Sequence, residues 1–318
     1  MSPGTLRSFL LFGGASVALA ACEPPPPEWM RASVPEPVVF APGVLSGPMR
    51  DYDITFTPDG TEAYFTRRSR RGAPQIYRSD FVEGRWADPV PVAFGSERDE
   101  APFVSADGSR LIFSSRRPHP GQFQPSDNLW EVRREGEGWG APRPIEGPVN
   151  RPREEVGRYT LGGELGPALF PDGGLLYWTR VDPEWGGDLY VAFPDDDGRY
   201  GDPEPLRVNS YGDEMNPVVA PGGDYIVFQA YREAEAFGEQ DLYVIERTEY
   251  GWGEPRLLPE PINSTRNDGW PAFSPDGRHF FFASDREDRG GFYDIFWVDA
   301  AALGLGGASS PPAGAAGG

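Results

Sequence analysis

Five carboxylates stand at one fixed distance from five glycines. Asp51, Asp99, Glu164, Glu214 and Asp268 lie nine residues before Gly60, Gly108, Gly173, Gly223 and Gly277 in turn. Gathered on one face, such a set could hold Ca²⁺ through hard oxygen ligands. It could also draw in a cationic group, or supply the acid pair of a glycoside hydrolase. That last chemistry needs two carboxyls in unlike environments, and five equivalent positions argue against it. A structural use competes with all three. Each carboxylate could cap backbone N–H groups or pair with an arginine and so tie the repeats together. Arg117, Arg232 and Arg286 share one offset after the turn glycine, and Arg68 and Arg180 lie within two residues of it. A site present in every unit serves the repeat before it serves a ligand, so the structural use is favoured.

Other candidates are fewer. Trp185 and Phe237 sit in non-repeated loops, "DPEWGG" and "EAEAFGEQ", where aromatics make contacts with partners. The run Asp195, Asp196, Asp197 in "FPDDDGRY" lacks the alternating spacing of a Ca²⁺ loop and reads as a solvated hairpin turn. There are two histidines, His119 in a Pro-rich loop and His279 beside a turn. No Gly-x-Ser-x-Gly elbow and no phosphate loop is present. Nothing in the residues points to catalysis, and no cofactor is implied beyond the Ca²⁺ already weighed.

The elements that would position these residues repeat. "SPDGRHFFFASDR" after Trp270 is a strand, a tight Pro-Asp-Gly turn and an aromatic strand. Its relatives are "DITFTPDGTEAYFTRR", "APFVSADGSRLIFSSRR", "GPALFPDGGLLYWTR" and "NPVVAPGGDYIVFQAYR". The turn glycines are spaced by 48, 65, 50 and 54 residues. A third strand follows in each unit ("QIYRSD", "NLWEVRR", "DLYVAF", "DLYVIER", "DIFWVDA"), and a fourth in all but the last. The fourth carries Trp86, Trp139, Tyr200 or Trp252, read as packing residues, and Pro89, Pro142, Pro203 or Pro255. Proline is tolerated on an edge strand, so this strand is the outermost.

Four antiparallel strands per repeat describe a propeller blade. The fifth repeat lacks its outer strand, and "EPVVFAPGVLSGPMRD" near the N-terminus matches the missing piece. The sequence therefore predicts an all-β, five-bladed β-propeller whose last blade is completed by an N-terminal strand. A sixth blade is disfavoured, because the excess in the 65-residue interval, about "REEVGRYTLGG", is too short for four strands. The units "SPDG…FFFASDR…DIFWVD" and "GW..P" resemble the WD40-like propeller repeat of the TolB type, over about 35–300. That resemblance implies the propeller fold and an envelope protein that binds other proteins. No counterpart of the extra N-terminal domain and the sixth blade of TolB is expected here.

The N-terminal 22 residues carry one charge, Arg7, then an apolar run that is short for a membrane span. Leu19-Ala20-Ala21-Cys22 resembles the lipobox of bacterial lipoproteins, which implies lipidation of Cys22 after removal of 1–21 as a signal peptide. By the same resemblance, Glu23 in place of Asp favours the periplasmic side of the outer membrane. Residues 22–35 are Pro-rich and read as a semi-rigid linker, 36–300 as the propeller, and 301–318 as a disordered Gly/Ala tail. With a single cysteine no intrachain disulfide can form. A net charge of -20 argues against nucleic acid. The resulting expectation is a monomeric, lipid-anchored scaffold of the bacterial envelope that binds a protein partner. A carbohydrate-binding or glycoside-hydrolase-like propeller is the alternative.

Overall fold

The computed structural model describes residues 25–156, 159–181, 186–232, 236–287 and 292–305. The signal, Cys22 and Trp185 lie outside the described residues. Five sheets are arranged as blades, and in each the strands run outward in sequence order, save for the outermost strand of blade five. The innermost strands are Arg50–Phe56, Asp99–Val104, Leu165–Leu169, Glu214–Val219 and Asp268–Phe273. The second strands are Glu62–Arg68, Arg110–Ser115, Leu175–Thr179, Tyr225–Ala230 and His279–Ser284. The predicted closure is present: Val38–Val39 pairs antiparallel with Asp294–Asp299, with Val38 opposite Trp297. The N-terminus thus supplies the outer strand of blade five, and the ring is fastened by strand pairing.

The outer strands are broken into two-residue pieces, such as Arg85–Trp86 and Val90–Pro91 in blade one. The proline between them cannot donate to the ladder, which confines pairing to either side. The inserted segment in blade three forms only a small hairpin, Glu154–Val156 with Tyr159–Leu161.

Each turn between the inner strands is closed by the same backbone bond, from the turn glycine N–H to the carbonyl three residues earlier, as Gly277 N–H to Ser274 O at 2.9 Å. In blades one, two and five a hydroxyl adds to it, as Ser274 Oγ donating to Asp276 Oδ1 at 2.6 Å. Gly277 has φ +70°, which a residue with a Cβ resists. The second strands are then fully buried. Phe280, Phe281 and Phe282 are all at zero exposure, alternating between the blade four and blade one interfaces. The outer-strand aromatics fill the same interfaces. Trp139 Nε1 donates to Tyr64 OH of blade one at 2.8 Å, and Trp252 lies against Phe170 of blade three with centroids 5.9 Å apart.

Two boundaries differ from the sequence reading. The expected linker is not free along its length, because Glu28–Arg31 form a turn of 3₁₀ helix with Trp29 and Met30 buried. Trp29 donates to Gly60 O at 3.0 Å and packs on Phe56, Phe40 and Phe281. Val34 N–H donates to Asp299 at 2.9 Å. A large aromatic beside the seam of blades five and one removes more apolar surface from water by docking than by staying extended. At the other end, Ala300–Leu303 form a second 3₁₀ turn with Leu303 buried, so the ordered chain runs past 300.

Candidate functional site

The five carboxylates occupy equivalent places, at or beside the start of each inner strand, and every one is fully buried. Their backbone N–H groups bond the preceding blade: Asp51 to Tyr293 O, Asp99 to Pro74 O, Glu164 to Asp127 O, Glu214 to Gly187 O and Asp268 to Gln240 O, at 2.7–3.2 Å. Four of the side chains are clamped within their own blade. Arg67 pairs with Asp51 at 2.6 Å, Arg117 with Asp99 at 2.9 Å, Arg232 with Glu214 at 2.9 Å and Arg286 with Asp268 at 2.6 Å. The same guanidinium groups donate to carbonyls of the incoming connection, namely Val44, Phe94, Val208 and Ile262. Each also stacks over a second-strand ring, Phe65, Phe113, Phe228 or Phe282, at 4.9–6.0 Å. Planar guanidinium suits this combined pairing and stacking.

Two expected partners are corrected. Arg67, not Arg68, holds Asp51, and Arg180 pairs with Asp213, not Glu164. Neighbouring strand residues face opposite sides, so only one of two adjacent arginines can reach the acid. Glu164 is the exception in the ring. Among the described residues no guanidinium pairs with it, and the Arg151 backbone N–H faces its carboxyl without the geometry of a full hydrogen bond. Burial pushes its carboxyl up to about 8, with the Arg151 backbone N–H and charge opposing and Asp127 adding.

The five carboxylates therefore sit inside the blades and not at the open mouth of the axis. None of the five carboxylates lines the axial cavity, which has a volume of about 470 Å³. Its walls come from the inner strands of all five blades and are mostly apolar, with Ile54, Val104, Leu169, Val218 and Phe273 among them. Pro58, Pro171, Pro221 and Pro275 of the turns, with Ala106 in blade two, ring its turn-face end.

At the opposite end each inner strand breaks register, two residues after the ring acid. The residues there, Asp53, Ala101, Gly166, Asn216 and Trp270, all have left-handed backbones, with φ between +47° and +60°. Such bulges re-aim side chains and gather near functional sites. For the four that are not glycine the conformation costs about 1–2 kcal/mol each. Chemically this level is the least repetitive part of the molecule. Asn216 is fully engaged, accepting from Trp178 Nε1 at 3.1 Å and donating to Gln229 at 3.0 Å. Trp270 packs between Tyr52 and Tyr293, with centroids 4.9 and 4.8 Å away.

Asp53 lines the cavity and receives the Thr66 hydroxyl at 3.3 Å. Burial pushes its carboxyl well above the ordinary carboxylate range, and the Glu100 charge adds to the shift. Glu100 beside it is held by Arg98 at 2.7 Å, and Arg98 in turn by Asp127 at 3.0 Å. The sequence reading did not single out Asp53. The signal available was the proline that follows the bulge in four blades: Pro102, Pro167, Pro217 and Pro271.

The remaining candidates fall into place. Phe237 is exposed on its loop, with its N–H on Asp241 at 2.8 Å. Asp195 Oδ1 accepts from the N–H of Asp197 and of Arg199, which closes a hairpin turn. His279 is buried with Nε2 3.0 Å from Ala32 O, a packing role. Among the described residues no group of three His, Cys, Asp or Glu is arranged to hold a metal ion.

No family model and no curated protein matches the sequence. Among solved structures, the chain is similar to a protein assigned as TolB from Agrobacterium tumefaciens. The identity is 19% and the TM-score 0.48, covering 74% of this chain and 70% of that one. It is similar to TolB from Acinetobacter baumannii at 19% identity and a TM-score of 0.43, over 66% of this chain and 44% of that one. An arabinanase from Bacillus subtilis is similar at 12% identity and a TM-score of 0.49, over 79% and 94%. This chain spans less than half of the Acinetobacter protein. The five-bladed β-propeller fold itself is given by the chain's own strand pairing.

Proposed function

We propose that this chain is a non-catalytic binding propeller of the bacterial cell envelope, lipid-anchored through Cys22. Its axial channel receives an apolar segment of a protein partner. The observation that carries this reading is the channel itself: five apolar walls, a rigid ring of prolines at one end and one carboxyl at the other. Pockets that bind are mostly apolar with a few convergent polar groups.

The hydrolase reading is weaker on geometry. Asp53 and Asp107 are the carboxyls that line the channel. They stand in different blades at opposite ends of the cavity, with at least three residues of inner strand, about 10 Å, between their levels. A glycosidase pair stands about 5–9.5 Å apart. Asp107 is also held ionised at about 2 by the Ser105 hydroxyl and the Ser109 N–H and hydroxyl, the opposite of a proton donor.

Affinity capture from solubilised envelope tests the channel, with the protein and an Ala106→Trp variant as baits. Ala106 is exposed at the turn-face end, where an indole blocks entry without entering the core. A partner retained by the wild type and lost in the variant is expected. Equal capture by both would sink the channel reading. The anchor has its own test: Cys22→Ser should leave a folded protein in the soluble fraction, and a variant that stayed on membranes after a high-salt wash would refute lipidation.

A further inference from the structure

We infer that the channel is a site for an amphiphilic cation, an apolar stem carrying a terminal ammonium group, with Asp53 as the counter-charge. The inference rests on the channel reading above and names the chemistry of its occupant.

Three observations converge. The first is the wall. From the turn-face prolines to the bulge, the inner strands present apolar side chains, so a stem gains by leaving water. Asp53 lies three strand residues from Phe56, about 10 Å, with the turn prolines beyond, which suits an extended chain and not a compact solute. The second is the acid at its end. Asp53 receives one side-chain hydrogen bond, from Thr66, and no ion pair to it is formed among the described residues. Every neighbouring acid is otherwise placed. Glu100 and Asp127 are paired with Arg98, Asp127 also with Arg116, and Asp51 with Arg67. The chain holds its 29 basic residues entirely as arginine, with no lysine, so none of its own ammonium side chains can serve Asp53.

The third observation is the surrounding field. The net charge is -20, which steers cations towards the molecule. A cation that arrives at Asp53 favours its ionised form. The same carboxyl gives a neutral stem no charge to pair with. The channel therefore discriminates by charge at its end and by apolarity along its length. A lysine side chain or a free amino terminus on an apolar segment of a partner has this chemistry.

Calorimetric titration with n-hexylammonium and with n-hexanol tests the inference on the whole protein. Hexylammonium is expected to bind at least tenfold more tightly than the alcohol. In Asp53→Asn that preference should collapse to near unity while hexanol binding persists, which shows that the variant is folded and the wall intact. Ala106→Trp, which leaves Asp53 in place, should weaken both probes. Equal affinity of the two probes for the wild type, or a preference that survives Asp53→Asn, overturns the inference. So does no binding of either probe. Failure to capture a protein partner, by contrast, would leave these titrations unaffected and count against the scaffold reading alone.

Discussion

In blade two, Asp99 is buried beneath Arg117, whose guanidinium also reaches Phe94 O and lies over the rings of Phe113 and Trp130. In blade three, Glu164 occupies the same place with no guanidinium paired to it among the described residues. Arg151 lies over Tyr190, the third-strand ring, but forms no ion pair with Glu164. The hydroxyl of Thr179, which stands where Ser115 receives the arginine in blade two, is also without a partner. The backbone bond from the acid to the preceding blade survives in both. Closure of the ring therefore depends on the repeated main-chain contact. The arginine clamp is a separate device, fixing the incoming connection to its own blade, and one blade does without it. The inserted hairpin Glu154–Val156 with Tyr159–Leu161 enters the chain between Arg151 and Glu164. The other blades have a short connection at that point, whose Gly47, Ser96, Ser210 or Ser264 N–H reaches the acid.

The sharpest way to break the comparison is to give blade two the condition of blade three. Arg117→Ala leaves Asp99 buried without its counter-charge and removes a stacked side chain. A loss of about 3–5 kcal/mol is expected from unpairing a buried ion, read as a fall in denaturant midpoint. A loss under 1 kcal/mol would mean that the clamps are dispensable everywhere.

The converse change is Glu164→Gln. The folded carboxyl titrates at about 8, above its ordinary value of about 4.3 in an unfolded chain. Folding thus binds a proton. The protein has the full benefit of the neutral acid below about pH 4.3 and loses it as pH rises towards 8. The glutamine variant has no such loss. It is expected to match the wild type near pH 4.5 and to exceed it by up to a few kcal/mol near pH 8. The difference between the two proteins isolates this group from Asp51, Asp53 and Glu100, whose carboxyls are also raised. A difference that is constant with pH would contradict the assignment.

The smallest effect concerns one hydroxyl. Ser264 Oγ donates to Asp268 at 2.8 Å beside the Arg286 clamp. Ser264→Ala should cost about 1 kcal/mol, because the arginine and the Ser264 N–H still satisfy the carboxylate. A cost near that of Arg117→Ala would show that the hydroxyl and the guanidinium act as one unit.

Much of the fold is legible in the sequence because the same constraint acts five times. Gly60, Gly108, Gly173, Gly223 and Gly277 all serve a left-handed turn position, and the acids recur at one offset from them. The N-terminal strand is legible because the last repeat lacks an outer strand and a matching segment exists elsewhere. The exception in blade three also has a trace. Arg117, Arg232 and Arg286 stand two residues after Ser115, Ala230 and Ser284, and in blade three the residue two after Thr179 is Val181, which has no guanidinium.

The channel end is another matter. The bulge residues Asp53, Ala101, Gly166, Asn216 and Trp270 share a backbone conformation and no chemistry, so residue type gives no pattern to follow. The docking of Trp29 is hidden for a similar reason. A lone aromatic in a Pro-rich stretch has no period, and only the seam it fills explains it. Counting acids from the turn located five equivalent positions correctly but placed them at the mouth. Burial, which no spacing reveals, took them out of it.

The central claim is that the channel binds and the acidic ring holds the structure together. One experiment puts the two side by side: envelope capture and thermal melting for Ala106→Trp and for the paired Asp99→Asn, Glu214→Gln variant. The account predicts that Ala106→Trp melts with the wild type and captures nothing. The ring variant should melt earlier and, below its melting temperature, still capture the partner. A ring variant that melts with the wild type but loses the partner, beside an Ala106→Trp protein that keeps it, would place binding at the carboxylates and contradict the account.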